Sequence, residues 1–387
     1  FKIIDDTIQQ NNTDYYLECQ NLYQYKPINH DFGPFNLSQF YDFFKLIDEK
    51  YQYCKTSNIN LVCYCSSDGQ ILSNALCLVC SYCVVHQNIN PNEINQQIQK
   101  LKMQPQPFRD ISIGQCPFFL STLDIMNSFN SAIRSNLFPG EFSSEKYNQL
   151  LKPENGMISE IIKNKLFACP SPIEPGHVLY KSQPLPPEIF VKTFKQLGVT
   201  ALIRLNDSYY QKNEFINNGI HHYDLNYPDG SVPNDEQIQR FFQILDMEQS
   251  VVVHCMAGLG RTGTLICLEL IRNYNFTARE SIAWTRICRY GSVSGQQQVF
   301  ICSIEDKVKN NEFVKKKKKI IIQKVDVAEV RQDTLPRQII KSNTQADVSP
   351  SRVIRGVIKK KPRVTSQSTK FDNSLPPLRS KFQSRLK

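Results

Sequence analysis

The stretch VVVHCMAGLGRTGTLICLEL, residues 251–270, decides how this chain is read. An apolar run ends in His254–Cys255, a glycine-containing turn leads to Arg261–Thr262, and a second apolar run with helical spacing follows. Val251 to Val253 are β-branched and suit a buried strand, whereas TGTLICLELIRNY repeats its apolar residues at three- and four-residue steps. Strand, turn and helix in that order place Cys255 before a helix N-terminus. A thiol reacts as its thiolate, and the unpaired N–H groups of a helix N-terminus favour that form. Gly258, Gly260 and Gly263 let the turn curl without side-chain obstruction. Backbone N–H groups turned into a concavity bind a tetrahedral oxyanion, and Arg261 adds a planar fork for two of its oxygens. The cradle is expected from Met256, Ala257, Gly258, Leu259, Gly260 and Arg261. A nucleophile at its base points to covalent phosphoryl transfer.

Such chemistry needs a proton donor for the leaving alkoxide. HHYDLNYPDGSVPNDEQIQRF offers Asp224, Asp229 and Asp235. Asp229 is the choice, because Pro228-Asp229-Gly230 reads as a turn able to close over the site. Asp235 reads as the N-cap of the next helix and Asp224 as structural. His221 and His222 read as surface or core histidines. Thr262 is expected to donate its hydroxyl to the Cys255 sulfur. His254, preceding the nucleophile on a strand, should point away from it. GSVSGQQQVF sets Gln296, Gln297 and Gln298 on a loop after a helix, where an amide can position the water that attacks the intermediate. No metal or cofactor is called for.

The rest of the 387 residues sets the frame. Hydrophobic content of 41% and charged content of 21% describe a globular chain with a sizeable core. No run approaches 18 apolar residues, so a membrane span is not expected. The chain begins at Phe1 and not at Met, which leaves an N-terminal targeting segment open. Thirteen cysteines, an odd number without secretory features, fit reduced thiols. Cys77, Cys80 and Cys83 have metal-like spacing, but NALCLVCSYCVV reads as a buried helix.

Residues 1–136 read as one mixed domain, with SNINLVCYCSS a strand and SNALCLVCSYCVVHQ the helix after it. Residues 137–160 lose periodicity and read as a linker. Residues 161–306 alternate strands (VTALIRLN, SVVVHC) with helices, which implies an α/β fold around a largely parallel sheet. The two halves share a pattern of strand, cysteine, glycine turn and helix. Setting Cys65 over Cys255 puts Ile71 at the place of Arg261, and setting Cys63 there puts Gly69. Duplication with one dead site and two unrelated α/β domains both remain open at this point. Residues 307–387 carry 22 Lys and Arg against 6 Asp and Glu, a net of +16, which leaves the body at −6. Basic, poor in large apolar residues and containing Ser and Pro, this tail is expected to be disordered.

HCMAGLGRTG closely resembles the active-site loop of the Cdc14 dual-specificity protein phosphatases. FGPFNL (32–37), PFRDISIGQC (107–116), IRLNDSYY (203–210), HYDLNYPDGSVPND (222–235) and IAWTRICRYGSVSGQQQVF (282–300) resemble Cdc14 segments in the same order. The resemblance covers residues 1 to about 305. It implies two tandem dual-specificity-phosphatase-like domains, each a central sheet flanked by helices, with only the second catalytic. It implies Cys255 as nucleophile, Arg261 as phosphate clamp, Asp229 as general acid and Gln297–Gln298 as the water-orienting pair. The implied substrates are phosphoproteins carrying phosphoserine before proline, as left by cyclin-dependent kinases in cell-cycle control, with a downstream basic residue read by acids between the domains. Glu141, Glu145 and Glu154 are those acids here, diluted by Lys146, Asn148, Gln149 and Lys152. Met256 stands where the family usually has lysine, and Tyr290 where it has proline.

Two rival readings are a phosphoinositide phosphatase and a catalytically idle phosphoprotein-binding scaffold. The first usually places lysines in the loop, where Met256 and Leu259 stand; the second is at odds with the presence of Cys255, Arg261 and Asp229. Ser349, in Ser349-Pro350-Ser351-Arg352, is a candidate regulatory phosphorylation site. The lysine runs at 315–319 and 359–361 suit nuclear import or cytoskeletal anchoring, and base-specific nucleic-acid binding has no module. Nuclear and cytoplasmic residence is expected, with spindle-pole, centrosomal and ciliary-base pools implied by the family.

Overall fold

The structure, a computed structural model, describes residues 2–3, 13–138 and 140–313. Ser349 and both lysine runs lie outside these residues. The first half builds a three-stranded parallel sheet in the order β1-β3-β2 from β1 (Lys2–Ile3), β2 (Asp14–Glu18) and β3 (Asn60–Cys65). Helices α1 (Leu37–Ser57), α2 (Gly69–Gln87), α3 (Pro91–Lys100) and α4 (Thr122–Arg134) accompany it. Their starts follow local chemistry: Asn36 and Ser121 form capping boxes with Gln39 and Asp124, and Asn90 caps α3 ahead of Pro91. By length and composition α2 is apolar enough to cross a membrane. Leu72, Leu76, Cys77, Leu78 and Cys80 of this helix are nevertheless buried within the protein. Ser73 and Asn74 of α2 donate to the carbonyls of Gln106 and Phe32, at 2.7 Å each.

The segment 137–160 is more ordered than its lack of periodicity suggests. It contains α5 (Ser144–Leu150), capped by Ser143, and the start of β4 (Ser159–Ile162). Seven residues are too few to display a helical period, so the sequence pattern could not show α5. Buried Tyr147 anchors the helix by donating to the Cys288 carbonyl at 2.8 Å.

The second half comprises β5 (Leu166–Cys169), α6 (Pro187–Gln196), β6 (Ala201–Arg204), α7 (Asn213–Ile216), β7 (His221–Asp224), α8 (Asp235–Met247), β8 (Val251–His254), α9 (Gly260–Tyr274), α10 (Ala278–Cys288) and α11 (Gln296–Lys309). Its sheet runs β4-β5-β8-β6-β7, with only β4 antiparallel. Every residue of β5, β6 and β8 is buried, which is why these strands are apolar throughout except for Arg204 and His254 at the ends of β6 and β8. Alternate residues serve two cores. Val251 and Val253 face the large one with Leu166, Ala201 and Ile203, while Val252 faces a smaller one with Phe190, Phe194 and Phe215. The chain stays in the core past residue 306: α11 runs to Lys309, and Phe313 packs on Phe242 with centroids 6.5 Å apart.

The large core does not stop at the boundary between the halves. Phe129 of α4 and Phe138 meet Trp284 of α10 edge-on, at 5.9 and 6.2 Å. Arg279 Nε and Nη2 grip the two Asp124 carboxylate oxygens, each at 2.8 Å, and Trp284 donates to the Ile161 carbonyl at 3.0 Å. Because one apolar cluster spans both halves, they should unfold together. Trp284 is the single tryptophan of the chain and sits in this shared cluster. Its fluorescence and far-UV circular dichroism should give coincident urea transitions, and Phe129→Ala should shift both by about 3–5 kcal/mol. Two separated transitions would show instead that the halves are independent.

Candidate active site

β8 is the central strand of its sheet, and Cys255 is the first residue beyond it, at the edge where parallel strands end. Five residues, 255–259, lead to α9. No side chain caps α9: Leu259, at its N-cap position, has nothing to offer the free N–H groups. The carbonyls before it are held away from the turn. Ser171 N–H donates to Met256 O at 2.9 Å, Arg289 Nη2 to Ala257 O at 3.0 Å, and Arg289 Nε to Gly258 O at 2.8 Å. In a trans peptide the N–H points opposite to the C=O, so the amides of Ala257, Gly258 and Leu259 turn to the inner side. Gly258 has φ +68°, and a Cβ there would overlap the Cys169 carbonyl, so only glycine fits. The result is a concave set of donors beside a buried thiol, 3% exposed.

Arg289 is the residue that sequence reading missed. It is fully engaged, its Nη1 also donating to Met157 O at 2.8 Å and Ser159 Oγ at 3.1 Å. Arg289 ends α10 within the quoted segment IAWTRICRYGSVSG, but nothing in that pattern says that its fork folds back under the turn. Burial works against its charge and pulls its pKa down, with the nearby Cys169 and Cys255 sulfurs acting the other way.

Arg261, on the first turn of α9, is 5% exposed. Its Nη1 donates to the carbonyls of Leu205 at 3.1 Å and Tyr227 at 2.8 Å, which orients the guanidinium across the ends of β6 and the 225–231 loop. Its Nε lies 3.1 Å from Asp229 Oδ1, an ion pair whose N–H direction is off the line needed for a hydrogen bond. Asp229 itself is exposed. Together with Asn206, Tyr209, Tyr227 and Met256, the pair lines a concavity of about 480 Å³. Gln297 Nε2 donates to Ser231 O at 3.1 Å, and its Oε1 lies over Gly260, so one side chain links the Asp229 turn to the Cys255 loop.

Three expectations are corrected. Gln296, Gln297 and Gln298 are not on a loop but form the first turn of α11, after Gly295 at φ +57°. Gln298 faces away from the turn, committed to Arg286 and Asp110, so Gln297 alone of the expected pair reaches the site. Thr262 Oγ1 is buried and makes no hydrogen bond, to Cys255 or to any other described residue. The N-cap of α8 is Asn234, in a capping box with Gln237, and Asp235 is the first helical residue. As expected, Asp224 is structural, paired with Arg204 at 2.7 Å. His254 points away from the site, its Nε2 2.7 Å from Tyr210 Oη. Glu141, Glu145 and Glu154 are exposed on the connecting segment and make no ion pair among the described residues.

The first half shows what disables a similar turn. From Cys65 at the end of β3 only three residues lead to α2, and Asp68 caps that helix, its carboxylate accepting from the N–H groups of Gln70 and Ile71. The chain's own anion occupies the place an oxyanion would take.

Similarity to known proteins agrees with this geometry. A family model described as the N-terminal half of dual specificity protein phosphatases matches residues 1–132, and one described as a polymorphic toxin system DSP-PTPase phosphatase matches residues 181–275. The chain is 35% identical to dual specificity protein phosphatase CDC14A of Mus musculus over 295 residues, 74% of this chain and 48% of the relative. It is 36% identical to CDC14A of Homo sapiens over 298 residues, 75% of this chain and 49% of the relative. With CDC14B of Mus musculus it shares 33% identity over 303 residues, 78% of this chain and 62% of the relative. The chain spans about half the length of the CDC14A relatives it matches.

Two measurements test the geometry. Arg289→Lys keeps the charge but loses the fork, so the carbonyls of Ala257 and Gly258 are freed. Calorimetric affinity for a tetrahedral oxyanion such as tungstate should fall about tenfold or more, as expected for losing about 1.5–3 kcal/mol of charged hydrogen bonding. Unchanged affinity would mean that the turn holds its own shape. Burial pushes the His254 imidazole down to about 3. The folded state then binds fewer protons than the unfolded one below pH 6.5, so stability is lost as pH is lowered, at up to about 1.4 kcal/mol per unit. The His254→Gln variant should lose about 2 kcal/mol less than wild type between pH 6.5 and 5 in urea unfolding. Equal losses would place the His254 pKa near its ordinary value.

Proposed function

The chain belongs to the Cdc14 family of dual-specificity protein phosphatases, and on that premise we propose that it hydrolyses protein phosphoesters through a cysteinyl-phosphate intermediate. The observation that carries this reading is the turn 255–260, whose carbonyls are held outward by Ser171 and Arg289 ahead of an uncapped helix. The inward amides and Arg261 bind the phosphate dianion and the added charge of its transition state. Cys255 attacks phosphorus as thiolate, and the ester oxygen leaves with a proton from Asp229. An arriving phosphate competes with Asp229 for the Arg261 guanidinium, which frees the carboxyl to meet the leaving group. Water then attacks phosphorus, the S–P bond breaks with its electron pair returning to sulfur, and the Asp229 carboxylate takes the water's proton. Gln297, tied to Ser231, would orient that water.

The preferred substrate is phosphoserine followed by proline, with phosphothreonine and phosphotyrosine also accepted, in a role reversing cyclin-dependent-kinase phosphorylation. Glu141, Glu145 and Glu154 would attract a basic residue downstream of the proline. The basic tail would carry the enzyme into the nucleus, with Ser349 a phosphorylation site upon it.

Phosphate release from matched peptides tests the reading. PhosphoSer-Pro-x-Lys should be hydrolysed at least about tenfold faster than phosphoSer-Ala-x-Lys, and Cys255→Ser should abolish release from both. The Asp229→Asn variant should slow turnover by about 10²–10⁴-fold. Release from none of the peptides by the wild type would remove the phosphatase reading.

A further inference from the structure

The far side of the Cys255 turn is closed by residues 290–298, and this segment does not hold its shape alone. Val293 has φ +60°, a conformation in which a β-branched side chain collides with its own backbone. Its side chain lies where a Cβ on Gly263 of α9 would fall, and its N–H donates to Leu259 O at 3.4 Å. Strain of this kind, about 1–3 kcal/mol, persists only where the surroundings over-determine it.

Three buried side chains do so. Arg286 donates from Nε to Ser292 O at 3.1 Å and from Nη2 to Val293 O at 2.9 Å, and Nη2 also reaches Gln298 Oε1. Gln298 Nε2 donates in turn to Asp110 Oδ2. The same oxygen accepts the Gly295 N–H at 2.6 Å, and Asp110 Oδ1 accepts the Ser112 N–H at 2.8 Å. Asp110 and Arg286 are 2% and 3% exposed, and Gln298 is fully buried. Burial works against the Asp110 charge, but the hydrogen bonds from Ser112 and Gly295 and the Arg286 guanidinium outweigh it and hold its pKa below the usual range.

Asp110 comes from the half without the nucleophile, 185 residues before Gly295. It fixes the N-cap of α11 and the neighbour of Gln297. A helix's first turn is rigid once its cap and one side chain are pinned, and Gln297 then has one direction left, towards Gly260 and Ser231. We propose that Asp110 is a positioning residue for hydrolysis of the cysteinyl phosphate, setting Gln297 through Gly295 and Gln298. The first half is thereby part of the second chemical step. In that step water adds to phosphorus, the Cys255 S–P bond breaks with its electrons returning to sulfur, and the water's proton passes to Asp229. The inference rests on the phosphatase reading.

The test is pre-steady-state hydrolysis of p-nitrophenyl phosphate by the full chain, with acid-quench trapping of labelled phosphoenzyme. In Asp110→Asn the first step should proceed within about threefold of wild type. The steady-state rate should fall about tenfold to a hundredfold, and cysteinyl phosphate should accumulate. Asp110→Asn combined with Gln298→Glu restores an amide–carboxylate pair with Arg286 beside the carboxylate, and should recover most of the steady-state rate. Equal slowing of both steps in Asp110→Asn, or no change in either, would overturn the proposal. If Asp110→Asn does not fold, the paired variant decides alone: a folded protein that turns over slowly without trapped phosphoenzyme sinks the idea, and near wild-type turnover supports it. A wild type that releases no p-nitrophenol is a separate result and speaks against the phosphatase reading itself.

Discussion

An α-helix begins with N–H groups that have no partner within it, and what meets them decides what each half of this protein does. At α2 they meet Asp68, two hydrogen bonds from its own backbone neutralise the site, and the turn before it is short. At α9 no side chain meets them. The longer turn 255–259 curls, Gly258 enters the left-handed region against the Cys169 carbonyl, and the donors stay open beside a thiol. Both turns follow an apolar parallel strand and open an apolar helix. They differ in a cap and two residues of length.

An open donor set is costly to maintain, because free carbonyls would rotate to meet it. The protein prevents this from behind. Arg289 spends its guanidinium on four acceptors, two of them in the turn, and Ser171 holds a third turn carbonyl from the end of the neighbouring strand. Neither makes an ion pair with a carboxylate among the described residues, and the buried cation behind the turn adds to the field favouring an anion in front of it. The same logic extends outward through Arg286, Gln298 and Asp110, which hold a strained segment in place, and through Arg279 and Asp124, which clamp α10 to the first half. Helix α10 and its C-cap residue thus supply three arginines, Arg279, Arg286 and Arg289, with three separate structural duties.

Much of this was legible in the chain. Strands β6 and β8 are buried on both faces and read as short apolar runs; α8 and α10 carry clean helical periods with capping residues before them, and α9 carries the period without a cap. Cys255, Arg261 and the glycine turn were visible because the chemistry proposed for them depends on residues within six positions of one another. Helix α5 was not legible, since seven residues do not complete two turns and its reason for existing is Tyr147 docking on α10. The placement of Gln296–Gln298 on a loop failed because Gly295 reads as a turn but serves as the N-cap of a helix whose cap partner, Asp110, lies far away in sequence.

The sequence by itself therefore determined the local events: which segments form strands and helices, where a thiol meets a helix start, and which half keeps its anion site open. Tertiary structure decided which way that site faces, through Arg289 and Ser171, which glutamine reaches it, through Asp110, and how two similar halves come to share one core around Trp284. The division has a physical cause. Backbone preference, capping and burial act within a turn or two of the chain, whereas the direction of a long side chain depends on acceptors brought beside it only when the whole chain has folded.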